Sequence, residues 1–398
     1  MKKIKLRSKE WFDNPDDPGL TALYLERYLN YGLKREDLQS GKPIIGIAQS
    51  GSDLSPCNRH FQALSKTIKD GIREAGGVPM EFPTHPIQET GKRPTAALDR
   101  NLSYLSLVEV LYGYPIDGVI LTTGCDKTTP AALMAAATVN IPSIVLSGGP
   151  MLDGNYKGKK AGSGTIIWEA RKLHAKGEIN YDEFMDMAAA SAPSIGHCNT
   201  MGTASSMNSI AEALGMSLPG GAIIPAPYKE RTDISFKTGK RIVEMVFENL
   251  TPSKIMTKEA FENAVYVASA IGASSNCPPH LTAIARHMGI DFNLDQWEKL
   301  GHRIPLLANC QPAGEHLMEG FFKAGGIPAI MKELIKDKKL NIKALTVTGK
   351  TIEENLNMKI DVNRDVIKSY ENPLSHNAGF IVMKSNFFSS AVMKTSVI

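Results

Sequence analysis

"PIDGVILTTGCDKTTPAALMAAATVNIPSIVLSGG", residues 115–149, sets two short apolar, β-branched runs on either side of an alanine-rich one. "DGVILTT" and "PSIVLSGG" have the length and composition of strands buried on both faces, and "PAALMAAATV" between them predicts a helix. Strand, helix and strand in so short a span is the repeating unit of a parallel sheet. The join between the first strand and the helix, "TTGCDKTTP" at 122–130, places Cys125, Asp126 and Lys127 side by side. Ligands of parallel α/β sheets gather beyond the carboxyl ends of the strands. A thiol, a carboxylate and an amine at that point therefore form the first candidate site.

Upstream the alternation continues. "PIIGIAQ" (43–49) reads as a strand, and "RHFQALSKTIKDGIREAGG" places Phe61, Leu64, Ile68 and Ile72 at helical spacing before stopping at Gly76–Gly77. "VPMEFPT" predicts another strand and "LDRNLSYLSLVEVLY" another helix. Downstream, from about 165 to 340, the pattern is mostly helical, with one further strand expected at "IPLLAN" (304–309). The expected fold is α/β, a layered α/β/α arrangement around a mostly parallel sheet. The tail, "NAGFIVMKSNFFSSAVMKTSVI", is rich in β-branched and aromatic residues and ends inside that pattern, at Ile398. It reads as a domain cut short, giving an α/β domain over 1–362 and an incomplete β segment over 363–398.

The chain of 398 residues is long enough for more than one core, and 42% hydrophobic with 22% charged residues is ordinary globular composition. A net charge of +4 with no basic block longer than "KDKK" at 336–339 argues against a nucleic-acid surface. "MKKIKLRSKEW" is followed by no apolar core of a secretory signal, and "AALMAAATV", the longest apolar run, is too short to cross a bilayer. Five cysteines without an export signal point to reduced thiols in the cytoplasm.

Three of those cysteines share a setting. Cys57 in "SGSDLSPCNRH", Cys125, and Cys198 in "SIGHCNTMGT" all lie among Gly, Pro, Ser, Thr or Asn, in turns next to strand or helix ends. A packed structural cysteine usually has apolar neighbours. Three in polar turns favour metal ligands, and their wide separation means the fold would have to bring them together. His60, His197, His280 and His316 could complete a zinc site, but only His197 adjoins one of the three; it is also the candidate substrate contact. Cys277 and Cys310 read as small packed residues. Asp126–Lys127 alone reads as a solvated pair, and Glu89 in "IQETGKR" as a loop carboxylate.

"PCNRH", "HPIQET", "TTGCDKTTPAALMAAATVNIPSIVLSGGPM", "SIGHCNTMGTASSMNSIAEALGM" and "SSNCPPH" together resemble the dihydroxy-acid and sugar-acid dehydratase superfamily, most closely its pentonate branch, the D-xylonate and L-arabinonate dehydratases. The resemblance runs from about residue 10 to the end of the chain. It implies a [2Fe–2S] cluster on Cys57, Cys125 and Cys198, and a magnesium ion on Glu89, Asp126 and a carbamylated Lys127. It implies a hydro-lyase converting a 2,3-dihydroxy sugar acid to a 2-keto-3-deoxy acid, in a homodimer or homotetramer. It also implies a β-barrel-like domain that continues beyond Ile398 and carries both the serine base and a further magnesium ligand. The chain as given is therefore expected to be inactive. The competing readings are dihydroxy-acid dehydratase of branched-chain amino-acid synthesis, a zinc-binding structural protein, and a non-catalytic sugar-acid-binding module.

Overall fold

The structure, a computed structural model, describes residues 5–30, 32–89, 92 and 95–397. Ile398, beyond which the serine base is expected, lies outside the described residues. Four parallel strands form the central sheet: β1 (Ile44–Gln49), β2 (Val78–Pro83), β3 (Gly118–Thr123) and β4 (Ser143–Ser147), in the order β2-β1-β3-β4. Every residue of β1, β3 and β4 is buried, which is why their sequences are continuous apolar runs. β2 lies at the edge and is only partly covered.

Helices of eight residues or longer are numbered in chain order. They are α1 (Pro18–Leu29), α2 (Phe61–Glu74), α3 (Ala97–Gly113), α4 (Thr128–Val139), α5 (Thr165–Ala175), α6 (Tyr181–Ala190), α7 (Thr203–Ala213), α8 (Lys229–Glu248), α9 (Lys258–Ala270), α10 (Cys277–His287), α11 (Leu294–Gly301) and α12 (Gly326–Lys336). α2 connects β1 to β2 in one direction along the sheet, while α3 and α4 carry the chain from β2 through β3 to β4 in the other. Right-handed crossovers then put α2 on one face and α3 and α4 on the opposite face. α8 packs beside α2, and α7, buried along its whole length, packs against α4. Connections diverge between the neighbouring strands β1 and β3, so a crevice opens at their carboxyl ends.

Two features differ from the expectations. "IPLLAN" forms no named strand. Leu306 and Ala308 make single antiparallel bridges to Ser375 and Ile367, because the residues they meet belong to an irregular segment and not to a ladder. A small unit at 154–190 had no strand signal in the sequence: β5 (Gly154–Tyr156) and β6 (Lys159–Ala161) form a hairpin that, with α5 and α6, encloses its own core of Ala161, Ile166, Ala170 and Met187. The tail contributes one antiparallel hairpin, β7 (Phe380–Met383) and β8 (Ala391–Lys394). Among the described residues no helix is long and apolar enough to cross a membrane.

Candidate active site

Cys57 lies in the loop after β1 and Cys125 in the loop after β3, so the two thiols approach from the two sides of the switch point. Asn58, fully buried, accepts the Cys125 backbone N–H at 3.0 Å on its side-chain oxygen. A Cβ at position 124 would strike that oxygen, so Gly124 is what lets the loops meet. Glu89 arrives from the loop after β2, which is tied to the Cys57 loop by a 2.7 Å hydrogen bond from Ser55 Oγ to the Ile87 carbonyl.

Cys198 has no strand of its own and is brought in along β4. The segment before α7 runs beside the end of that strand, with His197 N–H donating to Gly149 O at 3.0 Å and Met151 N–H to His197 O at 2.9 Å. Gly196 makes the approach with φ of 126°, a region that excludes most side chains, and a Cβ there would lie 2.6 Å from the Met151 nitrogen. Asn199 then pins the turn by accepting from Ser163 N at 2.8 Å and donating to Leu152 O at 2.8 Å.

Asn208, on α7, joins these pieces. Its oxygen accepts from Thr123 Oγ1 at 2.9 Å and Thr129 Oγ1 at 3.1 Å, while its nitrogen donates to Gly124 O at 3.2 Å and faces His197 Nε2 at 3.4 Å. His60 adds a further tie, 2.8 Å from its Nε2 to Gly148 O. None of these three asparagines carries a signal in the sequence beyond its place beside a candidate cysteine or on the helix that follows one.

The electrostatics of the thiols follow from burial and from one another. The Cys57 thiol hydrogen-bonds to Cys125, which raises Cys57 and lowers Cys125. Burial pushes Cys198 up to about 12, helped by the charges of Asp126 and Cys125. Burial likewise raises Asp126, with Lys127 opposing and Glu89 reinforcing the shift. Asp126 also bonds to Thr203 and to the Ala204 backbone, at the N-terminus of α7. Lys127 Nζ lies 3.0 Å from Glu89 Oε2 and is itself buried. Cys57 and Cys125 are thus in contact, Cys198 is within reach of their charge, and Glu89, Asp126 and Lys127 lie within reach of one another's charges. Among the described residues no three His, Cys, Asp or Glu side chains stand close enough, as they are, to share a metal ion.

The donor set fits the two inorganic groups. Three buried thiols, two of them hydrogen-bonded to each other and the third raised by burial and by the charge of Cys125, need a cationic partner to ionise together, and an iron–sulfur cluster with an open coordination position is such a partner. Two carboxylates around a buried lysine become three oxygen donors if the amine is carbamylated, a set suited to magnesium.

His197 has a setting different from the expected substrate contact. It is fully buried, and its Nδ1 lies 3.0 Å from Cys198 O. Burial drives its pKa down to about 3, so it is a neutral brace for the Cys198 turn, with no surface to offer a ligand. His280, which adjoins no candidate ligand in the sequence, differs from His197 in having a ring nitrogen without a partner. Arg100 Nη1 donates to its Nδ1 at 2.9 Å, which leaves the ring proton on Nε2. That Nε2 is buried without a partner, and the ring is near enough to Lys127 to feel its charge. Cys277 and Cys310 are buried, as expected of packed residues.

Residues 42–355 match the N-terminal family model of the dihydroxy-acid/6-phosphogluconate dehydratases. The chain is 59% identical to D-xylonate dehydratase of Caulobacter vibrioides over 394 residues, 99% of this chain and 66% of that protein. It is 44% identical to L-arabinonate dehydratase of Rhizobium leguminosarum bv. trifolii, over 98% of this chain and 67% of the relative. Against dihydroxy-acid dehydratase of Halothermothrix orenii the identity is 38%, over 90% of this chain and 66% of the relative. The chain thus spans about two thirds of the length of these relatives.

Proposed function

Because the chain belongs to the dihydroxy-acid/6-phosphogluconate dehydratase family, we propose that it serves a hydro-lyase acting on a 2,3-dihydroxy sugar acid of the D-xylonate or L-arabinonate type. The observation that carries this reading is the step from 38% identity with a dihydroxy-acid dehydratase to 59% with a D-xylonate dehydratase, over nearly the whole chain. Water leaves as the C2 proton and the C3 hydroxyl, and the enol so formed tautomerises to the 2-keto-3-deoxy acid. The proposal includes a cytoplasmic setting, in keeping with five cysteines that form no disulfide.

Cys57, Cys125 and Cys198 would hold a [2Fe–2S] cluster; Glu89, Asp126 and carbamylated Lys127 would hold magnesium. When bound, the two groups supply a Lewis acid for the departing hydroxyl and positive charge where the substrate becomes anionic. The chain's own residues set the stage. Asn58 and Asn208 fix the loops that carry Cys125 and its neighbours. His197 braces the Cys198 turn, and neutral His280 keeps an Nε2–H donor for an oxygen atom entering beside Lys127.

Metal analysis of anaerobically purified protein tests the reading. Equimolar iron and acid-labile sulfide are expected, with loss of both in Cys125→Ser; a colourless protein containing zinc would favour a structural metal site instead. Side-by-side assays, and calorimetry with each acid, then compare D-xylonate, L-arabinonate and 2,3-dihydroxyisovalerate. Preference for the last would move the chain to the amino-acid branch.

A further inference from the structure

Asn58 is tied at one end of its amide only. Its oxygen accepts the Cys125 backbone N–H at 3.0 Å, and a Cβ at Gly124 would lie 2.4 Å from that oxygen. Its nitrogen is buried without a partner. The residue is fully buried and its backbone is already fixed, the N–H donating to Ser55 O at 2.9 Å and the carbonyl accepting from Phe61 N–H at 3.0 Å. The tie between the loops uses only the oxygen. Two amide hydrogens shut away from water with nothing to accept them cost free energy, and native folds rarely leave such groups without a partner.

The amide is planar and rigid, so Nδ2 stands beside Oδ1 in the seam between the loops that carry Cys57 and Cys125. The thiols of those two residues touch. The backbone carbonyls of the Cys125 loop are already engaged: Thr123 O by Gly148 N–H, Gly124 O by Asn208 and Cys125 O by Thr128. Sulfur is the acceptor that remains, and the sulfurs here do take hydrogen bonds. Cys125 receives the backbone N–H groups of Glu89 and Asp126, and Cys198 receives the Ser163 hydroxyl.

We propose that Asn58 Nδ2 donates a hydrogen bond to a sulfur of the cluster assigned to Cys57, Cys125 and Cys198, and that this donor strengthens the open iron as a Lewis acid. The inference rests on the cluster reading given above and adds to it a residue that holds no metal itself. A hydrogen bond to a cluster sulfur draws charge away from iron, which raises the reduction potential and leaves the metal a better acceptor for a hydroxyl oxygen. In a dehydration, where nothing is oxidised or reduced, the second effect is the useful one. One amide then has two roles: Oδ1 ties the Cys125 loop, and Nδ2 acts on what that loop holds.

Pulsed electron paramagnetic resonance tests this on the anaerobically purified chain, reduced with dithionite and grown with asparagine isotopically labelled at its side-chain nitrogen. A weakly coupled labelled nitrogen is expected beside the reduced cluster. Asn199 donates its amide hydrogens to Leu152 O and Ser191 O, and Asn208 to Gly124 O and Ala204 O, so the coupled nitrogen belongs to Asn58. Asn58→Asp keeps the oxygen that ties the Cys125 loop and should lose the coupling. The midpoint potential should fall in Asn58→Asp and also in the uncharged Asn58→Ala, which removes the donor without adding a carboxylate. A reduced parent cluster with no coupled asparagine nitrogen would overturn the proposal even if neither variant folds. A coupling that survives in Asn58→Asp, or a potential that falls only where a carboxylate is added, would do the same. A parent chain with no iron–sulfur signal would instead overturn the cluster reading, and this inference with it.

Discussion

Asn208 binds no proton and is no candidate metal ligand, yet its one amide group holds the end of β3, the first turn of α4 and the brace of the Cys198 turn in register. Such a role is invisible in a sequence, where asparagine on a helix reads only as a weak helix former. Cys57, Cys125 and Cys198 stand out in the sequence as candidates because thiols in polar turns are chemically conspicuous; the residues that position those turns do not, because their partners are distant in the chain. Glu212, four residues along α7 from Asn208, shows the same limit and yields a pH effect. Its two oxygens accept Gly220 N at 2.7 Å and Ala222 N at 2.9 Å, yet burial raises it to about 7 against those bonds and against Arg231. A carboxyl whose pKa is higher folded than unfolded stabilises the fold fully below about 4.5, and that contribution is lost as pH rises through about 7. The loss amounts to about 3 kcal/mol at 1.36 kcal/mol per pKa unit. Glu212→Gln should lack this slope, whatever its baseline, so urea unfolding between pH 4.5 and 7.5 should show the parent losing ground to the variant. A constant difference across that range would mean that Glu212 does not titrate there.

At the level of elements, the site depends on which strands are neighbours. The runs around β1, β3 and β4 were readable because strands buried on both faces must be apolar throughout, whereas the order that sets β1 beside β3 is decided by pairing between distant segments. Of the elements converging here, the Cys198 turn is the least regular, since it reaches the end of β4 through the positive-φ Gly196 and a short run of bonds between irregular segments. Gly196→Ala introduces a Cβ into the Met151 nitrogen and the Pro150 carbonyl carbon, both 2.6 Å away, and cannot relax without moving the turn. We expect a loss of roughly 2 kcal/mol in unfolding free energy. Iron retained after anaerobic purification should fall in parallel, since Cys198 moves with its turn. A variant that keeps the parent's stability and iron content would show that the turn can reach β4 by another path.

At the scale of the whole molecule, the question is whether the tail expected to begin near 363 behaves as a separate body. Its backbone is laced to the segment 304–309: Asn309 N–H donates to Val366 O at 2.8 Å, Lys368 N–H to Leu307 O at 2.8 Å, Leu306 N–H to Ser375 O at 2.8 Å, and Ala378 N–H to Ile304 O at 2.9 Å. "IPLLAN" reads as a strand because it is buried and bonded like one; the interruptions come from its irregular partner, which left no pattern to read. Phe380 on β7 then meets Trp297 on α11 edge-on at 5.0 Å, and both side chains are fully buried within the apolar cluster that also contains the central sheet. Lys394 of β8 donates to Gly272 O at 2.7 Å, just beyond α9. A segment joined by interleaved backbone bonds and a shared aromatic contact should unfold with the body it joins. Phe380→Ala removes a fully buried ring and should therefore cost about 3–5 kcal/mol of the stability of the whole chain, not of the hairpin alone. Calorimetry should show one transition, moved downward intact in the variant. A second, lower transition appearing in the variant while the main one stays in place would instead make residues 363–397 a separately melting unit.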